Sequence, residues 1–209
     1  MEHTVITIAR SYGSGGRTLG KLLAKELGIH CYDRELLRMA SEQSGINEAL
    51  FGEVDEKVKS LPLFGISKKI YKGEIFPPES DDFVSDDNLF NYQAKIIKEV
   101  AAEESCVIIG RCADYALADY PNVVSVFITA DEDVKIKTLM ERHKISESQA
   151  KDVMIKTDKK RASYYNYYSS KRWGDSKSYD LCMNSSKIGY DGVVKMIQDF
   201  VEIKKGYKK

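Results

Sequence analysis

Short, dense runs of apolar residues alternate along the chain with stretches where apolar residues recur every three or four positions. That alternation predicts strands and helices in turn. Residues 4–9, TVITIA, are β-branched and apolar and read as a buried strand. A glycine-rich loop follows. TLGKLLAKELGI then carries Leu19, Leu22, Leu23 and Leu27 at helical spacing and stops at Gly28. IHCYD is a short second strand ending at Asp33, and residues 34–44 look helical. FNYQAKIIKEVAAEE is a helix with Phe90, Ala94, Ile97 and Ala101 as its apolar positions. SCVIIG and NVVSVFITA are the third and fourth strands, ending at Gly110-Arg111 and near Asp131. DEDVKIKTLMERH is helical, with acids in its first turn as the helix dipole favours. SESQAKDVMIKTDKKRASYYNYYSSKRWG is basic, aromatic and mostly helical. SYDLCMNSS gives a fifth strand and a turn, and DGVVKMIQDFVEIKKG closes the chain as an amphipathic helix.

Strand, glycine loop, helix, strand is a βαβ unit, which calls for a parallel sheet with right-handed crossovers. The expected fold class is therefore three-layer α/β. Residues 45–88 differ in character: they hold LPLFG and KGEIFPPESDDFVSDD, with three of the four prolines and a cluster of acids. They read as a mobile, partly irregular insertion, with a plain solvated loop as the competing reading. In such sheets ligands bind outside the carboxyl ends of the strands. The glycine loop, Asp33, Gly110-Arg111 and Asp131 all fall there.

At 209 residues the chain is expected to be one domain carrying an insertion. Apolar residues make up 43% and charged residues 31%, and the net charge is zero, which argues against a general nucleic-acid binder. The four cysteines, Cys31, Cys106, Cys112 and Cys182, show no CxxC spacing, and the three histidines are scattered. Reduced, buried thiols and no His/Cys metal cluster are expected. The start, MEHTVITIAR, reads as too short and too charged for a signal peptide, and no apolar run reaches membrane-spanning length. A cytoplasmic protein is the expectation, without nucleic-acid or membrane partners.

SYGSGGRT, residues 11–18, carries the chemistry. A phosphate-binding loop uses backbone N–H groups converging on an anion at a helix N-terminus, a cation for the outer phosphates and a hydroxyl for magnesium. Set against GxxxxGK[ST], Gly16 and Thr18 match, Ser11 replaces the first glycine and Arg17 replaces the lysine. Arginine can supply the charge and bidentate contacts. The loop residues expected to hold nucleotide are Gly13, Ser14, Gly15, Gly16, Arg17 and Thr18, with Thr18 on Mg2+. An inert strand-to-helix turn is the alternative.

SYGSGGRT, CYDRELL, VIIGRCADYAL, DKKRASYYNYY and WGDSKSYDLCMNSS, in this order, resemble the cytidylate kinase-like family, relatives of bacterial cytidylate kinase. The resemblance spans nearly the whole chain and is weakest at 45–88. It implies a P-loop NTPase fold with about five parallel strands, an acceptor-binding insertion at 45–88 and a lid-like segment at 142–174. It places Arg111 at the acceptor; the aspartate that follows in cytidylate kinase is Cys112 here, with Asp114 two residues on. It places Asp33 at the acceptor too, with Arg34 where the family enzyme has a small hydroxyl residue. Asp158 and Arg161 resemble the lid-side DxxR pair that contacts the acceptor's sugar and phosphate. Arg142, Lys156, Lys159 and Lys160 add charge to that segment. Ile109 stands where cytidylate kinase has an acid, and Asn184-Ser185-Ser186 resembles the turn beside adenine. Tyr164, Tyr165, Tyr167 and Tyr168 either stack on a base or pack a helix or dimer contact, so a homodimer stays open. Trp173 is expected to be structural.

The leading expectation is an ATP- and Mg2+-dependent phosphotransferase acting on a nucleoside monophosphate or another small phosphorylated acceptor. Arg17, Arg111, Asp158 and Arg161 are its expected catalytic residues. Asp33, Arg34, Arg111, Asp114, Asp158 and Arg161 are expected to hold the acceptor. The alternative is a nucleotide- or phosphate-binding protein with little or no kinase activity.

Overall fold

The six residues Val5–Arg10 form β1, and five of them are buried because both faces of the strand are covered. The computed structural model describes residues 3–56 and 74–206. Along it run α1 (Gly16–Leu27), β2 (His30–Tyr32), α2 (Glu35–Ser44), α3 (Glu48–Glu56), α4 (Asp86–Glu103), β3 (Cys106–Ile109), α5 (Ala113–Ala116), β4 (Val123–Thr129), α6 (Glu132–His143), α7 (Glu147–Ser169), β5 (Leu181–Asn184) and α8 (Ser185–Gly206). The strands form one five-stranded sheet in the order β2-β3-β1-β4-β5, and every described pairing is parallel. Ile8 pairs with Ile109 and Arg10 with Ile128, so the carboxyl ends of β1, β3 and β4 lie close together.

Alternate strand residues serve two cores. Ile6, Ile8, Val107, Val126 and Ile128 pack with Leu19 and Leu23 of α1 and Val193 and Ile197 of α8. Val5, Ala9, Cys106, Ile108 and Phe127 pack on the other side with Leu36, Leu89, Phe90, Ile97 and the tyrosines of α7. A small third cluster joins Ile136 and Leu139 of α6 to Ala150 and Met154 of α7. Among the described residues no helix is long and apolar enough to cross a membrane.

Several elements differ from the sequence expectation for local reasons. α4 begins at Asp86, because Ser85 caps it by accepting from the Asn88 N–H at 3.2 Å and Asp86 and Asp87 favour its first turn. Part of the 45–88 stretch is ordered: α3 buries Phe51 and Val54. Residues 74–85 are no free solvated loop. Buried Asn88 accepts from the Phe76 N–H at 2.8 Å and donates to the carbonyls of Phe83 at 2.7 Å and Phe76 at 3.2 Å. The expected irregular character of residues 57–73, LPLFG included, lies outside the described residues. Cys106 and Cys112 are buried as expected, but Cys31 is half-buried and Cys182 is exposed on the edge strand β5. α8 is interrupted at Gly189 (φ 68°, ψ 175°), so the amphipathic helix proper starts close to the predicted 191.

Candidate functional site

Where β1, β2 and β3 end, a cavity of about 330 Å3 opens beside the glycine loop. Six cationic side chains line it, Arg10, Arg17, Arg34, Arg111, Lys160 and Arg161, against two carboxylates, Asp33 and Asp114. Such an excess of positive charge in a walled cleft attracts anions. Thr157, Tyr164, Tyr165 and Trp173 complete one wall. The cavity thus brings together six of the residues predicted from sequence (Arg17, Asp33, Arg34, Arg111, Asp114 and Arg161).

The loop enters α1 through two left-handed glycines, Gly13 (φ 87°) and Gly15 (φ 80°), and the helix starts at Gly16. These dihedrals are cheap only for glycine, and the space around them is filled. A Cβ at Gly13 would come within 2.8 Å of the Lys135 carbonyl oxygen, and one at Gly15 would run into the Tyr190 hydroxyl. The loop is braced from below. The Ser14 hydroxyl donates to the Ser11 carbonyl at 2.9 Å, and the Ser185 hydroxyl donates to the Ser14 carbonyl at 2.9 Å. Asn184 Nδ2 donates to Asp131 Oδ1 at 2.8 Å, tying the turn after β5 to the start of α6. Thr18, in the first turn of α1, is exposed.

Arg17 turns to Asp33, with Nε 2.6 Å from Oδ2. Asp158 does not line the cavity. It faces the loop instead and accepts from the Tyr12 N–H at 2.7 Å, while burial holds its carboxyl above the ordinary range. Arg161, one helical turn on, donates from Nη1 to the Arg10 carbonyl at 3.0 Å and lies over the Tyr12 ring at 5.2 Å. Burial lowers its pKa, opposed by Asp158.

Gly110, Arg111 and Cys112 have φ of 77°, 62° and 51°, three consecutive left-handed residues. For the two that are not glycine this stores about 1–3 kcal/mol each, a cost met at ligand clamps. The twist aims Arg111 into the cavity, where burial lowers its pKa. Cys112 is buried and its thiol is pushed well up by burial, so it is no nucleophile. The Tyr164 hydroxyl is buried on the cavity wall without a hydrogen-bond partner among the described residues, a polar atom a ligand can satisfy.

Three features went unread in the sequence. Arg10 lies one residue past the predicted strand 4–9 and carries no role in the sequence reading, although a charge closing a buried strand is a signal. Trp173 does pack edge-on against Phe127 at 5.3 Å, but it also lines the cavity. Tyr190, resting on Gly15, carried no local signal. Of the four tyrosines, Tyr164, Tyr165 and Tyr168 are core residues, and Tyr168 stacks on Phe90 at 3.8 Å. Among the described residues no group of three or more His, Cys, Asp or Glu side chains could hold a metal.

Asp114 accepts from the Tyr165 hydroxyl at 2.7 Å, yet burial keeps its pKa raised. A carboxyl whose pKa is raised in the fold destabilises it above that pKa, and the cost vanishes below about 4, where both states are protonated. Asp114→Asn should therefore raise the melting temperature by a few degrees at pH 8, and the gain should shrink as pH falls toward 4. A loss of stability at pH 8 would contradict this.

The chain resembles known proteins over most of its length. It is 24% identical to cytidylate kinase of Methanosarcina barkeri over 184 residues, covering 87% of each chain. It is 24% identical to cytidylate kinase of Archaeoglobus fulgidus over 205 residues, covering 96% of each. An uncharacterised protein from Eubacterium ventriosum, solved by crystallography, matches 96% of this chain and 99% of its own at 31% identity and a TM-score of 0.71. Shikimate kinase from Bacteroides thetaiotaomicron, at 17% identity and a TM-score of 0.55 over 95% of this chain and 98% of its own, shares the P-loop kinase fold. The sequence pattern of the cytidylate kinase-like family matches residues 5–187, and the chain belongs to that family.

Proposed function

We propose that the protein is an ATP-dependent phosphotransferase whose acceptor already carries a phosphate, a nucleoside monophosphate or a close relative. One observation carries the reading: six cations converge on a walled cavity at the strand ends, directly beside a glycine loop that opens a helix.

The donor's phosphates would lie on the backbone N–H groups of residues 13–18 at the N-terminus of α1. The donor set suits magnesium that travels with the nucleotide. Thr18 offers one exposed hydroxyl and no all-protein cage is present among the described residues, matching a cation that keeps waters and phosphate oxygens as ligands. When bound, Mg2+ would neutralise charge on the transferring phosphoryl group. Arg111, Arg34 and Lys160 would hold the acceptor's phosphate, and Arg161 would face the charge that spreads over the equatorial oxygens. The Arg17–Asp33 pair would set the border between donor and acceptor. No general base is needed for an acceptor that is already an anion; positioning carries the rate. Asp158 would steady the loop through Tyr12 rather than touch the acceptor. In this reading 45–88 is the acceptor-side insertion and 142–174 the lid-like segment. The setting is the cytoplasm, which keeps thiols reduced.

A buried thiol at Cys112 reads a cytosine amino group poorly, so the acceptor need not be CMP. The test is thermal stability with Mg-ATP and each nucleoside monophosphate, followed by ADP release from the same mixtures. A ligand bound by the folded state alone raises the melting temperature by mass action. The expected result is a shift with Mg-ATP and ADP release that depends on one phosphorylated acceptor. No shift with Mg-ATP would overturn the reading.

A further inference from the structure

We propose that Arg10, the last residue of β1, supplies the cation that grips the donor's outer phosphates, in place of a lysine whose position in the fold is taken by Gly16. The inference rests on the donor-site reading above.

A phosphate loop requires a cation springing from the start of its helix toward the outer phosphates. Counted from Ser11, the spacing puts that cation at Arg17. The backbone counts differently. The left-handed Gly15 caps α1 and the first helical residue is Gly16, which has no side chain. Counted from Arg10, GxxxxGK places Gly15 at its second glycine and Gly16 at its lysine, with Arg10 at its first glycine. The first and seventh positions have thus exchanged chemistry: the glycine became a cation and the cation a glycine.

The geometry shows the exchange. A Cβ at Gly16 would come within 2.6 Å of Arg10 Cβ, 2.8 Å of Cγ and 3.7 Å of Cδ. The Arg10 stem therefore fills the volume into which a side chain at 16 would project. Its guanidinium ends against Gly110, where even a methyl group would run into it. Both glycines make room for this one side chain. Arg17, the alternative, is one residue further round the helix, half exposed, and held by Asp33. The Arg10 head instead lies within the field of Arg161, Arg111 and Arg17, with Asp33 set against them. Burial first, then Arg161, pull its pKa down to about 9, so it stays charged at neutrality while surrounded by like charge. Phosphate oxygens are a partner suited to such a cluster.

The test combines Arg10→Met, which keeps the stem against both glycines, Arg10→Lys, and the double variant Arg10→Gly/Gly16→Lys, which also removes the Cβ that would meet a side chain at 16, each beside wild type and Arg10→Gly. Mg-ATP binding is read by calorimetry and by thermal shift, and turnover by ADP release. Loss of a charge-assisted contact should weaken Mg-ATP binding about thirtyfold in Arg10→Met, with the unliganded melting temperature held. Arg10→Lys should stay within about tenfold of wild type. Gly16→Lys in the Arg10→Gly background should recover about tenfold or more in affinity, a rescue that a packing role for Arg10 would not produce. Mg-ATP affinity within twofold of wild type in Arg10→Met overturns the inference alone. If Arg10→Met does not fold, failure of the double variant to improve on Arg10→Gly overturns it. Absence of Mg-ATP binding by wild type removes the donor-site reading and this inference together.

Discussion

Arg161→Met should lower turnover about a thousandfold, the scale of an arginine that stabilises phosphoryl-transfer charge. The methionine stem keeps most of the packing, and the hydrogen bond to the Arg10 carbonyl is worth about 1 kcal/mol. Removing one guanidinium from the cluster also relieves repulsion with Arg17, so the unliganded melting temperature should move by no more than about 4 °C. The measurement is ADP release at saturating Mg-ATP over a range of acceptor, with a thermal melt as control. If the loss falls in kcat, Arg161 acts on the transition state; if KM alone rises, it only holds the ground state. A fall of less than tenfold in kcat/KM would remove Arg161 from the chemistry.

Gly110→Ala should be strongly destabilising. Gly110 has φ of 77°, where a side chain costs about 1–2 kcal/mol, and the new methyl would also collide with the Arg10 guanidinium. The two effects together should cost about 3–5 kcal/mol and lower the melting temperature by about 10 °C or more. Gly28→Ala separates them. Gly28 has φ of 65° but nothing within 4 Å of an added Cβ, so it carries the dihedral cost alone. Its melting temperature should fall by only about 2–6 °C. Equal losses at the two sites would mean that Arg10 yields without cost.

Much of this was legible in the sequence because it is local. The β1–loop–α1 unit announces itself through TVITIA, glycines and leucines at helical spacing, and Asp33 and Arg111 stand at predicted strand ends. What was not legible depends on how distant segments are brought together. The order β2-β3-β1-β4-β5 puts Arg10 against Gly110, a hundred residues away, and no periodicity contains that. The register of the loop is ambiguous in the sequence for a related reason. Spacing alone allows Gly16 as the last glycine, and only the left-handed Gly15 and the helix start show where the turn ends. Likewise a cluster of prolines and acids at 77–87 suggested a solvated loop, because the buried amide of Asn88 that pins it lies in the following helix.

The double anchoring of α7 has a mechanical meaning. Its 23 residues make a rod roughly 34 Å long. Near one end Ala150 and Met154 are clamped to α6, and near the other Tyr164, Tyr165 and Tyr168 are sunk in the main core. Arg161 sits between the two clamps, so the helix cannot carry it in or out without dragging tyrosines from the core. The separation between its charge and the glycine loop is therefore a machined dimension of the molecule. In the proposed reaction it would work as a gauge, favouring an acceptor whose phosphate oxygen reaches the right point.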